Sequence, residues 1–329
     1  LKAIYRFAVL LTLLAAAAAC PAQMPDFYKS ANRVVWLVQE IDRVRPAWEA
    51  LGLTDIHEYP NVSMSGNYHG TANNIIAWEI TGHLGNLSVE MVQPAEGQLN
   101  AFNDFLGHHG DGIFSIVHEV HSRAQMDTEI RRMQSLGVNV LQQFTVTRDG
   151  VPVTYTFFDT EPQGKFVLGL VYAPGGMPAP LPGKMVTHLA PVVNDAASVS
   201  AFWSKLGFPA FSMEHATPRP DSRYRGQPLS LSFEVGYQHY DQFSYEWIVP
   251  PTTPPNIYAD FLRNHHEGIQ HIGIPVDDLQ KSAAAYEKLG YHIHQSGAWG
   301  NVGQKNSGQY DYMDTDTHGG VAVELLHAY

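Results

Sequence analysis

Cysteine is all but missing from this chain. Cys20 is the only one among 329 residues, so no disulfide forms within the chain and a disulfide-stapled or cysteine-rich zinc fold is excluded. Positive charge is also scarce. Twenty Lys and Arg against 32 Asp and Glu leave a formal charge of −12, which excludes a general binder of nucleic acid or of anionic membrane surfaces. What is abundant is an ordinary globular composition, 44% hydrophobic with 28 Gly and 21 Pro, and 17 histidines that make metal chemistry worth testing residue by residue.

Long apolar runs are missing too, with one exception. Phe7 to Ala19 is apolar but for Thr12, and it follows a short basic start, Lys2 and Arg6. The run is too short to span a bilayer as a mature helix but suits the core of a secretory leader, expected over residues 1–22. Cys20, directly after Ala17-Ala18-Ala19, resembles the cysteine of a bacterial lipobox. The expectation is therefore an exported protein, either periplasmic or held to a membrane by a lipid anchor on Cys20; simple cleavage nearby stays open.

Residues 173–183, Ala-Pro-Gly-Gly-Met-Pro-Ala-Pro-Leu-Pro-Gly, are too rich in breakers for helix or central strand and mark a linker between domains at 26–172 and 184–329. Each domain is itself repetitive. Leu51-Gly52, Leu136-Gly137, Leu206-Gly207 and Leu289-Gly290 each end a helix-like stretch, the glycine standing where the chain must turn left-handed. In the third stretch Val199, Phe202, Trp203 and Leu206 form a helical stripe, and Asp277-Asp278 can cap the fourth. A β-like run precedes each helix: Val34 to Val38, Ile113 to Val120, Val186 to Val193 and Ile269 to Val276. Further strands follow each, as in Asn74 to Ile80 and Leu87 to Val92. The halves repeat as wholes, since Phe105-Leu106-Gly107-His108-His109 parallels Phe261-Leu262-Arg263-Asn264-His265. The expected fold is α+β, four βαβββ modules paired into two cupped-sheet, half-barrel domains.

The Leu-Gly pairs give a ruler that is independent of any ligand. Eighteen residues before Leu206 and Leu289 stand His188 and His271, each early in the first strand of its module. The last strands, Phe243 to Ile248 and Val321 to Leu326, each carry one carboxylate in a mostly apolar run, Glu246 and Glu324. An ionised Glu buried there is costly unless a cation or proton compensates it. Two His and two Glu are a donor set for one divalent metal, Zn, Ni, Fe, Mn or Co.

With these residues in place the chain resembles the vicinal-oxygen-chelate superfamily, which contains glyoxalases, bleomycin resistance proteins and extradiol dioxygenases. Tyr312-Met313-Asp314-Thr315, then Gly319-Gly320 and Val323-Glu324-Leu325-Leu326, resemble its closing hairpin. The link from Glu246 through Pro250 and Phe261-Leu262 to Gly268-Ile269-Gln270-His271 resembles the glyoxalase and methylmalonyl-CoA epimerase branch. The resemblance implies one divalent metal on His188, Glu246, His271 and Glu324. It also implies a small-molecule substrate that chelates the metal through adjacent oxygens, with Glu246 or Glu324 as the catalytic base. A lyase or isomerase acting through an enediolate is the leading expectation. A ring-cleaving non-haem Fe(II) dioxygenase would use His188, His271 and Glu324 without Glu246, and a non-catalytic small-molecule binding or resistance protein would need no metal.

The N-terminal half departs from the pattern. Its counterparts are Arg33, Glu90, Ser115 and Gly169, with His118 in place of Ser115 under a different count, so it is expected to be scaffold or a wall of the substrate pocket. The remaining candidates have plainer readings. His108-His109 and His265-His266 read as polar loops, Arg219, Arg223 and Arg225 as a hairpin that could meet an anionic substrate group, and Trp48 and Trp203 as packing residues.

Overall fold

Four times the chain runs strand, helix, strands, and each repeat ends its helix in the same way. In the computed structural model, which describes residues 23–179, 186–217, 219–240 and 243–329, the first module is β1 (Arg33–Leu37), α1 (Ile41–Ala50), β2 (Leu53–Tyr68), β3 (Thr71–Leu84) and β4 (Leu87–Pro94). A connecting helix α2 (Ala101–His109) leads to β5 (Gly112–Glu119), α3 (Arg123–Ser135), β6 (Val140–Arg148), β7 (Val151–Phe158), the short α4 (Glu161–Gly164) and β8 (Val167–Tyr172). The third module is β9 (His188–Val192), α5 (Ala196–Lys205), β10 (Met213–Ala216), β11 (Arg223–Tyr224), β12 (Gln227–Pro228), β13 (Phe233–His239) and β14 (Ser244–Val249). Helix α6 (Ile257–His265) then leads to β15 (Gly268–Pro275), α7 (Leu279–Lys288), β16 (Ile293–Trp299), β17 (Gly308–Met313) and β18 (Ala322–Ala328). The leader core, Cys20 and residues 180–183 of the linker lie outside the described residues. No helix among the described residues is long and apolar enough to cross a membrane.

The helix ends follow from residue chemistry. Gly52, Gly137, Gly207 and Gly290 all have φ between +87° and +107°, a region that costs a Cβ-bearing residue strain. At the other end Asn100, Ser122, Asp195, Asn256 and Asp278 accept a backbone N–H as caps, satisfying donors that the first helical turn leaves open.

Modules pair through their first strands: β1 against β5 and β9 against β15, both antiparallel. Each first strand also runs parallel to the last strand of its own module. The two pairs then differ. In the N-terminal half β2 pairs with β6, from Ser65 opposite Thr145 to Tyr68 opposite Gln142, and the eight strands close into a barrel. In the C-terminal half the β11–β12 hairpin intervenes and pairs with β16, and no pairing of β10 with β16 closes the cup among the described residues.

The interiors match this difference. Phe102, Phe114, Phe144 and Phe157 fill the barrel with edge-on aromatic contacts. A second, larger core under the helices is shared by both halves. Trp48 and Trp203 are buried in it and also bind across it. Trp48 Nε1 donates to the His318 carbonyl at 2.7 Å, and Trp203 Nε1 donates to the Gly164 carbonyl at 3.1 Å while its ring stacks on Phe166. The first module therefore packs on the fourth and the second on the third.

His118 lies on this helix side of β5, 1% exposed, its Nδ1 2.7 Å from the Ser30 carbonyl and its Nε2 without a partner. Burial pushes its pKa down to about 4, so the folded protein keeps it neutral while the unfolded chain protonates it below about 6.5. The unfolded state thus binds more protons between those values, and stability falls as pH drops from about 6.5 to 4, by up to about 3 kcal/mol. Urea unfolding across that range should show the loss in the parent protein and a flatter profile in His118→Gln.

Candidate metal centre

The site is a consequence of strand register. Across the β9–β15 seam His188 faces Gly273 and His271 faces Ala190. On the far side of β15, Glu324 of β18 also pairs with Gly273. On the far side of β9, Ser244 of β14 pairs with His188, and Glu246 lies two residues further along the same face. Four neighbouring strands therefore send His188, Glu246, His271 and Glu324 to one point on the concave face, and all four are buried.

One ligand atom from each lies within 4.8 Å of the others. His188 Nε2 is 3.0 Å from Glu324 Oε2 and 3.3 Å from Glu246 Oε2; His271 Nε2 is 3.5 Å and 3.3 Å from the same two atoms; the two nitrogens are 3.3 Å apart. Donors held about 2.1 Å from one ion stand about 3.0 Å apart at right angles and about 3.4 Å apart at the tetrahedral angle. The donor set therefore fits a divalent ion. Glu324 Oε2 supports this in a second way: it is buried and in no hydrogen bond, although His188 Nε2 is at 3.0 Å. A buried carboxylate oxygen is costly unless a cation or a proton on the facing imidazoles compensates it.

Surrounding groups fix the donors. His271 Nδ1 is 2.6 Å from Gln270 Oε1, so Nδ1–H donates there and Nε2 is the ring nitrogen turned to the cluster. Tyr237 Oη donates to Glu246 Oε1 at 2.8 Å, leaving Oε2 turned inward. Burial opposes a charged His271, but the Glu246 and Glu324 carboxylates override it and push its pKa up to about 9. Burial would raise Glu324, yet the two histidines hold it well below the usual carboxylate range. A proton thus serves as counter-charge, and an ion entering the cluster displaces it.

Gly273 is a functional residue that the sequence reading missed. A Cβ there would lie 1.9 Å from Cε1 of the His188 ring, so only glycine leaves room for that ring between β9 and β18. The signal was present: the residues two positions after the ligand histidines, Ala190 and Gly273, are both small. Beyond the ligands a cavity of about 150 Å³ is walled by Phe233, Tyr237, Tyr258, Trp299, Tyr310 and Arg219 among others.

The N-terminal register places Arg33, Glu90, Ser115 and Gly169 at the equivalent positions: Val35 faces both Ser115 and Glu90, and Val117 faces Gly169. No metal cage forms from them. Arg33 Nη1 bonds Glu90 Oε1 at 3.0 Å, Arg148 reaches Glu90 Oε2 at 3.2 Å and Glu79 Oε2 at 3.0 Å, and Tyr155 Oη donates to Glu90 Oε1 at 2.6 Å. Burial would raise Glu90, but Arg148 and Arg33 beside it hold its pKa below the ordinary value.

The other candidates separate. His108, His109 and His265 end helices α2 and α6 rather than lying in loops, and with His266 they join the two halves. His109 Nδ1 is 2.6 Å from the His265 carbonyl and His265 Nδ1 is 2.8 Å from that of His109, while His108 and His266 stack at 4.4 Å. The arginines do not act together. Arg219 lines the cavity, Arg223 binds the Pro220 and Ser222 carbonyls, and Arg225 binds Asp260 and His294 away from the metal ligands.

Residues 187–308 match the family model described as Glyoxalase/Bleomycin resistance protein/Dioxygenase superfamily. That match places residues 187–308, the part of the chain that carries His188, Glu246 and His271, in the vicinal-oxygen-chelate superfamily. As in paired modules of this superfamily, the chain's strands form cupped sheets. The fold of the whole chain is similar to that of a 4-hydroxymandelate synthase variant from Streptomyces coelicolor, with a TM-score of 0.61 at 13% identity over 94% of this chain and 93% of that one. A catechol 2,3-dioxygenase aligns over 91% of this chain and 93% of its own at 10% identity, with a TM-score of 0.43. No curated protein matches in sequence.

The purified protein should hold one divalent ion per chain by elemental analysis. Both His188→Ala and Gly273→Val should lose most of it while keeping the parent circular dichroism spectrum. A full complement in Gly273→Val would show that the His188 ring does not need the space between β9 and β18.

Proposed function

We propose that the protein is a divalent-metal-dependent lyase or isomerase that moves a proton next to a carbonyl in a small substrate with adjacent oxygens. The observation that carries this reading is the position of Glu246. Its Oε2 stands 3.3 Å from both histidine nitrogens, so it belongs to the donor set with the other three, where a two-His, one-Glu dioxygenase centre would leave it out. A divalent ion held by the four would supply positive charge to an oxygen that becomes negative as the proton leaves.

The protein's own groups do the rest. Glu246 lines the cavity, is 8% exposed and keeps Oε1 on the Tyr237 hydroxyl. It is therefore better placed to take a substrate proton than Glu324, which is 3% exposed and whose proton affinity the two histidines depress. The aromatic wall of Phe233, Tyr258, Tyr310 and Trp299 excludes water around the reacting carbon. A cavity of about 150 Å³ is below the usual range for drug-sized ligands and selects a compact substrate. Arg219, on the same wall, offers a charge to an anionic substituent. The leader read over residues 1–22 adds export to this proposal, to the periplasm or to a lipid anchor at Cys20. That location disfavours glutathione adducts and CoA thioesters as substrates.

Metal-loaded protein should turn over a member of a panel of α-hydroxy and dicarbonyl compounds. Glu246→Gln should lower kcat by about 100-fold or more, in line with the loss of a general base. Absence of metal-dependent turnover across the panel would overturn the proposal. Oxygen uptake with catechols by the Fe(II)-loaded protein would replace it with ring cleavage.

A further inference from the structure

The N-terminal barrel has its own cavity, separate from the metal centre, at the mouth where β1, β4 and β7 begin and β3, β6 and β8 end. It measures about 330 Å³, more than twice the volume beside the metal ligands. Segment 173–178, leaving β8, forms one side of it. Arg33, Ser88 and His83 stand in one row across β1, β4 and β3, since Arg33 pairs with Ser88 and Ser88 with His83.

The same row exists in the C-terminal half as His188, Ser244 and His239. There His239 Nδ1 and Ser244 Oγ lie 2.8 Å apart and satisfy each other. In the N-terminal row they do not. Ser88 Oγ and His83 Nδ1 are buried without a hydrogen-bond partner, in residues 2% and 7% exposed; Asp55 Oδ2 comes within 3.5 Å of His83 Nδ1 without hydrogen-bond geometry. Arg33 gives Nη1 to Glu90 but has only a long 3.3 Å bond from Nη2 to the Pro178 carbonyl. Two unmet buried polar atoms and a guanidinium in residues that line one cavity are the features of a polar ligand site.

We propose that this mouth is a second ligand site, independent of the metal, which takes a small carboxylate with an apolar body. The carboxylate would accept from Arg33 and Ser88, with His83 beside them, where a guanidinium has replaced the ligand histidine of the other half. The apolar body would lie on Val89, Val153, Ala173 and Met177, which line the same space. Asp55 and Asp149 also line the cavity, but both are exposed at the rim, and Asp149 accepts from Tyr59 Oη at 2.9 Å. Water screens those charges, while the buried floor is unscreened.

The test is calorimetric titration of the full chain, metal-loaded and chelator-treated, with benzoate, octanoate and the uncharged control octanol. Expected is one saturable site per chain for at least one carboxylate, with the same affinity with and without metal and at least tenfold tighter than octanol. Ser88→Ala should weaken it at least tenfold, whereas removing a merely structural orphan hydroxyl would leave it unchanged. Val151→Trp, at a position 41% exposed on the cavity rim, should block it with the fold intact. Arg33→Gln should abolish it, and the first two variants keep the test decisive if that one does not fold. No saturable binding of either carboxylate, or binding indifferent to both Ser88→Ala and Val151→Trp, would overturn the proposal.

Discussion

The antiparallel seam between β9 and β15 is the constraint on which the site depends. It sets His188 opposite Gly273 and His271 opposite Ala190, and because each first strand also carries its module's last strand, the same seam brings in Glu246 and Glu324. A slip of one residue would turn every side chain of a strand to the other face. The register shift between Ile269 and His271 therefore belongs to the machinery: it sets which face of β15 looks into the cup. Four donors from separate parts of the chain share a centre because two strands pair in one register.

The two halves show what a buried carboxylate demands. Glu90 and Glu246 hold the same place in their modules, in strands with little water, and each needs a positive neighbour. In the C-terminal half the neighbours are neutral-capable donors that leave room for an ion. In the N-terminal half Arg33 and Arg148 bring the positive charge on the protein itself. Once that has happened no metal is needed, and the barrel can close and fill with Phe102, Phe114, Phe144 and Phe157.

Much of this was legible in the sequence because the signals were repeated. The Leu-Gly pairs marked the helix ends, and distances measured from them located His188 and His271 without reference to their chemistry. The choice of Ser115 over His118 follows the register, and His118 points to the helix side. Other features could not be read. Closure of the N-terminal barrel depends on β2 and β3 being long enough for β2 to reach β6, and nothing local in Leu53 to Tyr68 states the partner. The histidine pairs look like loop residues in isolation, because their bonds run to the same positions in the other half. Gly273 was overlooked for a different reason: its importance lies in the volume it leaves to His188, and the only trace of that in the sequence is the small residue two places after each ligand histidine.

Openness in the C-terminal cup is the remaining asymmetry, and the β11–β12 hairpin accounts for it. By pairing with β16, Arg223 and Tyr224 satisfy the edge that would otherwise join β10 and close a second barrel. The hairpin is tied down from outside by Tyr224 and Arg225, both bonded to Asp260 of α6. Arg219 on its approach lines the cavity and bonds Asp221 and the Gly300 carbonyl. Joining β10 to β16 would narrow the cup around the four residues, and an unfilled gap would leave two sheet edges bare. The insertion resolves both demands, and it distinguishes the half that gathers His188, Glu246, His271 and Glu324 from the half that does not.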